Sequence, residues 1–257
     1  METDIAKAQG HWVLAKMGKK VLRPGGRELT KKLIEALHIN QKDDLVEFAP
    51  GLGFTASMAL EKHPGTYTGI DANEDAVKHL RKTISGQNHK IILGNAAQTP
   101  LDSNSVTKVY GEAMLTMHAD HRKSEIIREA YRILKPGGLY AIHELGLTPN
   151  YLADDLKADI QKDLAMSIRV NARPLTPDEW KRILTSEGFE IQYVATNQMY
   201  LLEPMRMIED EGMLRTLKIG LYILRNGAAR KRVLEMYHVF RKHAAHMNAI
   251  VLVGKKI

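Results

Sequence analysis

The feature of this sequence that most constrains its fold is the alternation of short apolar runs with helical patterns between residues 44 and 143. Strands are predicted at residues 45–48, 67–70, 90–93, 106–110 and 139–143, and helices at residues 54–62, 74–84 and 123–134. Strands that alternate with helices form βαβ units, so the pattern predicts an α/β fold with a parallel sheet, right-handed crossovers and helices on both faces. Ligands of such sheets bind beyond the carboxyl ends of the strands, so the residues that follow each strand are the candidates for a site.

The regions on either side of this alternation are predicted to be mainly helical. Residues 1–40 contain a helix, a Gly/Pro break at residues 23–27 and a second helix over residues 28–37. After residue 150 the patterns predict helices at residues 151–169, 177–186, 204–225 and 228–246, and strands at residues 190–195 and 249–253. No Pro/Gly/Ser-rich linker separates these regions, so a single domain is predicted.

Composition excludes several kinds of site. The chain has no cysteine, which rules out disulfides, thiolate zinc sites, iron–sulfur clusters and cysteine nucleophiles. No apolar run approaches the roughly 20 residues that a membrane-spanning helix needs. The first 20 residues lack the compact apolar stretch and small-residue cleavage site of a signal peptide. The sequence therefore predicts a cytoplasmic protein.

The loop after the first predicted strand has the composition of a nucleotide-binding turn. Glycines at positions 51 and 53 let the backbone pass close to a ligand and lead into a helix N-terminus. Asp71 ends the second strand, where a carboxylate can accept hydrogen bonds from both ribose hydroxyls. Residues 51–56 also match the dinucleotide pattern G-x-G-x-x-G/A, so NAD(P) is one candidate ligand. Glu47, before the glycines, instead suits a cationic group such as the amino group of a methionine moiety.

Several motifs, in order, make residues 44–145 resemble the class I S-adenosylmethionine-dependent methyltransferases, in particular the quinone- and small-molecule-methylating branch. Residues 47–53 match the family's acid-x-Gly-x-Gly-x-Gly motif with Ala49 in place of the first glycine, and residues 134–138 match the turn before its fifth strand. Residues 94–97 resemble the stretch that lies along the adenine, with Asn95 in place of the usual aspartate. The resemblance implies S-adenosyl-L-methionine as the cofactor and a Rossmann-like, mostly parallel seven-stranded sheet with a helical insertion before the last strand. The cofactor-binding residues predicted here are Glu47, Ala49, Pro50, Gly51, Gly53, Asp71, Ala72, Asn95, Ala96, Ala97 and Glu112.

Candidates for acid–base chemistry follow the fourth and fifth predicted strands. His143 is the first candidate for a general base, with the alternative that it is a structural histidine bonded to the backbone. Glu112 either contacts the cofactor or substrate or pairs with a nearby cation, and His118 is a weaker candidate. His143 and Glu144 are adjacent on a strand and point to opposite faces, so no metal site is predicted.

The predicted function is methyl transfer to a small organic acceptor by in-line displacement. Residues 1–40 are predicted to be an N-terminal helical lid, residues 41–150 the cofactor-binding core, and residues 151–257 a helical elaboration on the substrate side with the final strands. The candidates for lining the lid are His11, Trp12 and Tyr200, together with Met199, Met205, Met207, Met213 and Met236, which form either a lid or a helical core. Two alternatives stay open, namely a nucleic-acid methyltransferase and a non-catalytic protein that binds S-adenosylmethionine.

The net charge of +7 is concentrated at the two ends of the chain. Residues 1–40 carry +4 and residues 204–257 carry +7, which leaves the middle at −4. Such basic segments attract nucleic acid, an anionic membrane surface or an acidic ligand, or are simply solvated. No RNA-binding module is recognisable, so nucleic acid is disfavoured as a partner, and the basic segments indicate either a solvated outer face or an anionic small-molecule acceptor that is drawn towards the pocket.

Overall fold

The predicted α/β fold is confirmed by the computed structural model, which describes residue 5 and residues 8–257. Within that part of the chain seven strands form one sheet in the order β3-β2-β1-β4-β5-β7-β6. The strands are β1 Asp44–Phe48, β2 Thr66–Asp71, β3 His89–Leu93, β4 Val106–Glu112, β5 Leu134–Leu147, β6 Phe189–Gln198 and β7 Met247–Lys256. The first five strands run parallel to one another, whereas β7 runs antiparallel to both β5 and β6.

Helices cover both faces of this sheet because the strands bury side chains on both sides. The helices in the described residues are α1 Gly10–Lys16, α2 Gly26–Ala36, α3 Phe54–Leu60, α4 Glu74–Thr83, α5 Asp120–Ile133, α6 Asp154–Ile168, α7 Pro177–Ser186, α8 Pro204–Glu211, α9 Met213–Arg225 and α10 Gly227–Lys242. Helices α5 and α7 pack on one face around Phe48, Ile142 and Trp180. Helices α2, α3 and α4 pack on the other face around Leu45, Tyr67 and Tyr110.

The topology places one edge of the sheet where a ligand can bind. The strand order runs outward in opposite directions from β1 and β4, which are neighbours, and this reversal is the switch point of the sheet. The segments that follow β1, β2, β3 and β4 therefore leave the sheet at the same edge and diverge there. A crevice forms at this point because no crossover covers it.

A third apolar cluster lies beside the sheet and is built mainly from the added helices. Helices α1, α6, α8, α9 and α10 pack together with the ends of β5 and β7, around residues such as Leu164, Met236 and Phe240. The N-terminal helices and the helical insertion before β7 are therefore present as predicted. None of the described helices combines the length and the apolar character that a membrane crossing requires. The division of the chain at residues 40 and 150 stays a prediction.

Local sequence patterns predicted most of the helix ends. Thr176 caps α7 as predicted: its hydroxyl accepts from the Glu179 amide, and the Glu179 side chain accepts from the Thr176 amide at 2.8 Å. The predicted continuous helix over residues 204–225 was wrong, because Gly212 has φ +79° and separates α8 from α9. The predicted turn at residues 135–138 lies within β5, as an irregular stretch where the pairing with β4 shifts register.

Candidate functional site

A cleft of about 730 Å³ opens at the switch point of the sheet. Its walls come from the segments after the first four strands, from the N-terminal segment and from the start of α5. The polar and loop residues that line it include Lys20, Arg23, Ala49, Pro50, Gly51, Asp71, Ala72, Asn73, Asn95, Ala96, Glu112, His118 and Arg122. Its apolar wall includes Trp12, Leu22, Leu52, Phe54, Ile70, Ala113, Met114, Met117, Ile126 and Val170. The volume lies within the range of sites that enclose a small molecule or cofactor.

The loop between β1 and α3 exposes its backbone to the cleft, because glycines there have no side chain to cover it. Gly51 has φ +57°, and no atom lies within 4 Å of the position that a Cβ would take, so this glycine faces open space. Gly53 has φ +76°, a conformation that favours glycine, and a Cβ there would lie 2.8 Å from the end of the Leu80 side chain. Ala49 also has a positive φ of +53°, a conformation that is uncommon for a residue with a side chain. The loop is thus shaped for close approach of a ligand at Gly51 in particular.

Asp71 at the end of β2 fixes the same loop. Its Oδ2 atom accepts a hydrogen bond from the Gly51 amide at 2.9 Å, and Oδ1 accepts from the Asn73 amide at 2.9 Å. The carboxylate is largely buried but still lines the cleft. Because each carboxylate oxygen has a second lone pair, Asp71 can accept two further hydrogen bonds from a ligand.

The segment after β3 contributes the side-chain amide of Asn95, whose oxygen already accepts two hydrogen bonds. The Oδ1 atom of Asn95 accepts from the Arg122 guanidinium at 2.7 Å and from the Ala97 amide at 3.0 Å. Asn95 and Ala96 line the cleft, whereas Ala97 packs against the core between the sheet and α5. In the stretch that the resemblance places along the adenine, the Asn95 oxygen is therefore already bonded to Arg122, a contact that the sequence pattern did not reveal.

Glu112 is the centre of a nearly buried polar network. Its Oε1 atom accepts from the Thr30 hydroxyl at 2.8 Å, and its Oε2 atom pairs with the Arg23 guanidinium at 2.8 Å. The Thr55 hydroxyl donates to Oε2 and accepts from Arg23. Burial alone would raise the pKa of the Glu112 carboxyl, but Arg23 and His143 outweigh burial and lower the pKa to about 2. The network ties residues 23–30 to the end of β4.

His143 belongs to this network and has no free ring nitrogen. Its Nδ1 atom lies 2.7 Å from Oε1 of Glu112, and its Nε2 atom lies 2.6 Å from the carbonyl oxygen of Pro24. Both partners are hydrogen-bond acceptors, so neither ring nitrogen is available to take a proton from a substrate. The side chain is fully buried and does not line the cleft. This geometry does not support the predicted general base; it favours the alternative, a structural histidine.

Glu144 has a role that the sequence reasoning missed. This buried carboxylate accepts hydrogen bonds from the amides of Met114, Leu115 and Thr116 at 2.8–3.0 Å, and from the Thr116 hydroxyl at 2.7 Å. It holds the start of the 3₁₀ turn Leu115–Met117, which borders the cleft. Its neighbour His143 points to the opposite face, as the strand alternation predicted. Among the described residues no group of three His, Asp or Glu side chains could hold a metal ion.

A second cavity of about 80 Å³ adjoins the cleft. Leu22, Ala113, Met117 and Val170 line both spaces, so the cavity continues inward from the cleft wall. Its remaining lining is almost entirely apolar and comprises Gly10, Leu14, Pro24, Thr116, Leu145, Leu164, Ile168, Ala172, Met199, Leu201, Met236 and Phe240. The hydroxyl of Thr116, the one side-chain polar group in this set, is already bonded to Glu144. The cavity therefore suits a hydrocarbon group.

The residues predicted to line a lid divide into three groups. Trp12 lines the cleft, and Met199 and Met236 line the apolar cavity. Tyr200 lies outside both spaces, Met207 is buried in the helical core, and Met205 and Met213 are exposed to solvent. The side chain of His11 lies outside the described residues. His118 lines the cleft, where burial, followed by nearby Arg122, lowers its pKa.

Comparison with known proteins decides the family. The family described as methyltransferase domain matches residues 46–142. An uncharacterized protein of Haemophilus influenzae is 35% identical over 251 residues, which cover 94% of this chain and 96% of that protein. The phosphoethanolamine N-methyltransferase of Plasmodium falciparum is 24% identical, over 67% of this chain and 63% of that enzyme. The crystal structure of MccD protein superposes with a TM-score of 0.70 at 20% identity, covering 91% of this chain and 99% of that one.

The chain belongs to the class I S-adenosylmethionine-dependent methyltransferases. The predicted family, enzyme class and cofactor are thereby confirmed, and NAD(P) is set aside. The specific resemblance to the quinone-methylating branch stays a prediction. Because this chain spans only 63% of the phosphoethanolamine enzyme, that enzyme's acceptor is not carried over to it.

Glu47, the acid of the methyltransferase motif, lies under the loop and does not line the cleft. Its Oε2 atom accepts hydrogen bonds from the hydroxyls of Tyr67 and Tyr110, both at 2.6 Å. Burial raises the pKa of Glu47 to about 7, although the bonds from Tyr110 and Tyr67 lower it. A direct contact between this carboxylate and the cofactor's amino group stays a prediction, and the tyrosines are partners that the sequence did not indicate.

Replacing Glu47 by glutamine is expected to remove a pH dependence of stability. Since the folded-state pKa is raised from 4.5 to about 7, the folded protein retains a proton that the unfolded chain releases, and the free energy of unfolding falls as pH rises through this range. Glu47→Gln keeps an oxygen for both tyrosines, so it should raise the free energy of unfolding at pH 8 by roughly 1–3 kcal/mol. Urea unfolding at pH 5 and pH 8 measures this difference.

The matched control for this experiment is Glu61→Gln, which changes an exposed carboxyl and should leave the pH dependence as in wild type. An unchanged pH dependence in Glu47→Gln would show that Glu47 is not the titrating group. The affinity of the same variant for S-adenosylmethionine also tests the predicted contact with the amino group. A loss of more than tenfold would support that contact.

Proposed function

We propose that this methyltransferase methylates a small organic acceptor whose apolar part occupies the cavity beside the cofactor cleft. The observation that carries this proposal is the continuity of the two spaces: one has polar groups suited to a nucleoside, and the other is lined by hydrocarbon. A substrate that fills both the mouth of the cleft and the cavity has its reactive group at their junction, beside Ala113 and Met117.

The cleft has a donor and acceptor set that suits S-adenosylmethionine. Asp71 would accept hydrogen bonds from the ribose hydroxyls, with Ala72 and Asn73 beside it. The backbone at residues 49–51 would lie against the methionine part, because Gly51 leaves open space where a side chain would stand. Asn95, Ala96 and the apolar wall at Ile126 would enclose the adenine. Gly53 and Ala97 lie outside the cleft lining and would support this arrangement through packing, whereas Glu112 lines the cleft and would support it through its hydrogen bonds.

S-adenosylmethionine supplies a methyl group that its sulfonium already activates, so the protein's task is chiefly to orient the acceptor and to exclude water. The N-terminal segment closes the cleft opposite the sheet through Trp12, Leu22 and Arg23. Arg23 is held by Glu112, and Glu112 by His143. In this proposal Glu112 and His143 position the closing segment rather than transfer a proton. Among the residues whose side chains the structure describes, His118 is the histidine that lines the cleft.

An anionic group on the acceptor is also part of this proposal. Lys20 and Arg122 line the cleft, and Lys20 is exposed to solvent at its mouth. Arg122 pairs with Glu125 at 2.5 Å, which leaves Lys20 as the more available cation. This point is tested by measuring KM for pairs of acceptors that share one carbon skeleton, one with and one without a carboxylate or phosphate. The anionic acceptor of each pair is expected to have the lower KM.

Incubation with methyl-labelled S-adenosylmethionine and fractionated cell extract tests the proposed acceptor class. Label is expected in small molecules that partition into organic solvent. Label in RNA would establish the nucleic-acid alternative, and binding of the cofactor without transfer to any fraction would establish the non-catalytic one. Either result overturns the proposal.

Filling the apolar cavity is expected to weaken acceptor binding selectively. Ala172 is buried against the cavity, so Ala172→Leu places three further carbon atoms where the acceptor's apolar part would lie. We expect KM for the acceptor to rise by roughly tenfold or more, since each buried methylene contributes about 0.8 kcal/mol. The dissociation constant of S-adenosylmethionine should change less than twofold. Ala153→Leu, at an exposed position, is the matched control, and an equal loss of cofactor affinity in Ala172→Leu would contradict the assignment.

A further inference from the structure

Helix α9 exposes a stripe of large apolar side chains to solvent. Met213, Leu214, Leu217, Leu221 and Leu224 are between 44% and 79% exposed. With 3.6 residues per turn, these five positions fall within an arc of about 100° on the helix surface. Ile219, which is buried against the helical core, lies on the opposite side. The 13-residue helix is about 20 Å long, so the stripe is a continuous band of that length.

Basic side chains border this stripe. Lys218 and Arg225 follow directly on one edge of the apolar arc, and both are exposed. Arg230 and Lys231 are exposed at the start of α10, immediately after α9. Among the residues that the structure describes, Lys218, Arg225 and Lys231 have no carboxylate at ion-pair distance. These three cations contribute to the net charge of +7 over residues 204–257. They form no ion pair within the described part of the fold, so they remain available to an external anion.

We propose that α9 docks the enzyme on the surface of an anionic lipid membrane. A helix whose outer face joins leucine and methionine side chains to a basic edge suits the boundary between lipid headgroups and acyl chains. The leucines would enter the acyl region, and the lysine and arginine side chains would contact lipid phosphates. Its inner face stays packed on α10 and α8, so docking requires no unfolding.

Charge complementarity favours a membrane over a second copy of this chain. Two copies that met through their α9 stripes would bring Lys218 and Arg225 of both copies to one interface, where like charges oppose association. An anionic lipid surface offers hydrocarbon chains to the apolar stripe and negative charge to its basic edge. The proposal concerns a surface apart from the cleft and stands independently of the acceptor's identity.

Vesicle binding tests the proposal. Vesicles of phosphatidylcholine with roughly 30% phosphatidylglycerol are expected to co-sediment the full-length protein at least tenfold more effectively than phosphatidylcholine alone. Raising the salt concentration from about 0.05 to 0.5 M should weaken this binding, because it screens the lipid charge. A triple variant, Leu214→Ser with Leu217→Ser and Leu221→Ser, and a charge variant, Lys218→Glu with Arg225→Glu, should each lose at least tenfold in binding.

Two control variants keep the test specific. Tyr151→Ser removes an exposed apolar side chain elsewhere, and Lys82→Glu with Lys90→Glu makes the same charge change on another surface. Both should bind vesicles within twofold of wild type, and all variants should keep the wild-type affinity for S-adenosylmethionine. Circular dichroism and size-exclusion chromatography show whether each variant is folded and whether it is monomeric.

A fluorescent reporter gives a second readout. The emission of Leu217→Trp, after subtraction of the wild-type signal, is expected to shift to shorter wavelength with anionic vesicles and to be quenched by lipids brominated in their acyl chains. No shift and no co-sedimentation would overturn the proposal. Dimerisation in solution that the leucine triple variant abolishes would also overturn it, because a second copy would then cover the stripe.

Discussion

Asp71→Ala is expected to weaken S-adenosylmethionine binding by a factor of about 100 or more, because it removes two acceptor positions that would receive the ribose hydroxyls. The carboxylate also accepts from the amide of Gly51 at 2.9 Å, so its removal frees the loop that borders the cleft. Each lost hydrogen bond to a charged group is worth about 1.5–3 kcal/mol. Isothermal titration calorimetry with S-adenosylmethionine and S-adenosylhomocysteine measures the loss.

Two comparisons separate this effect from loss of folding. Asp71→Asn retains one acceptor oxygen and should lie between wild type and Asp71→Ala in affinity. Asp75→Ala removes an exposed carboxylate from the first turn of α4 and should bind the cofactor as wild type does. If Asp71→Ala bound S-adenosylmethionine within threefold of wild type, the proposed ribose contact would be wrong.

Glu112→Ala is expected to lower the free energy of unfolding by about 3–5 kcal/mol, because it leaves the charge of Arg23 and the buried ring of His143 without their partner. It should also lower the affinity for S-adenosylmethionine, since Arg23 and the segment around it form part of the cleft wall. Urea unfolding and calorimetry on the same preparation measure the two effects.

A double-mutant cycle with Arg23→Ala tests whether the two residues act together. The double variant should lose about 1–3 kcal/mol less stability than the sum of the two single variants, because it no longer contains an unpaired buried charge. Glu74→Ala, which removes one partner of the exposed Lys78–Glu74 pair, should cost less than about 1 kcal/mol. Additive losses for Arg23→Ala and Glu112→Ala would contradict the network.

The stabilisation that the Glu112 carboxylate contributes depends on pH with a definite sign. The pKa of Glu112 is lowered from 4.5 to about 2 in the folded protein, so the unfolded chain takes up the proton first as the solution is acidified. The stabilisation is therefore complete above about pH 4.5 and is lost as pH falls toward 2. The stability difference between wild type and Glu112→Gln should shrink over this range.

The fold was largely predictable from local pattern. Strands and helices with alternating periods from residue 44 to residue 143 gave the parallel core, because burial on both faces of the sheet demands apolar runs at those spacings. The break at Gly212 was missed because a glycine inside a helical pattern is usually tolerated, and only the path of the chain between α8 and α9 requires its positive φ. The register shift within β5 was missed for a similar reason, since strand pairing is not visible in one strand's sequence.

The sequence by itself determined the family, the cofactor and the segments that form the cleft, because those features depend on residues close together in the chain at strand ends. Only the tertiary structure decided what the polar residues do. His143 meets Pro24, 119 residues away, Glu112 meets Arg23, and Glu47 meets Tyr67 and Tyr110. The apolar cavity likewise needs α1, α6 and α10 to converge on the sheet edge. Such contacts depend on where distant segments pack, and spacing along one segment carries no information about its partner.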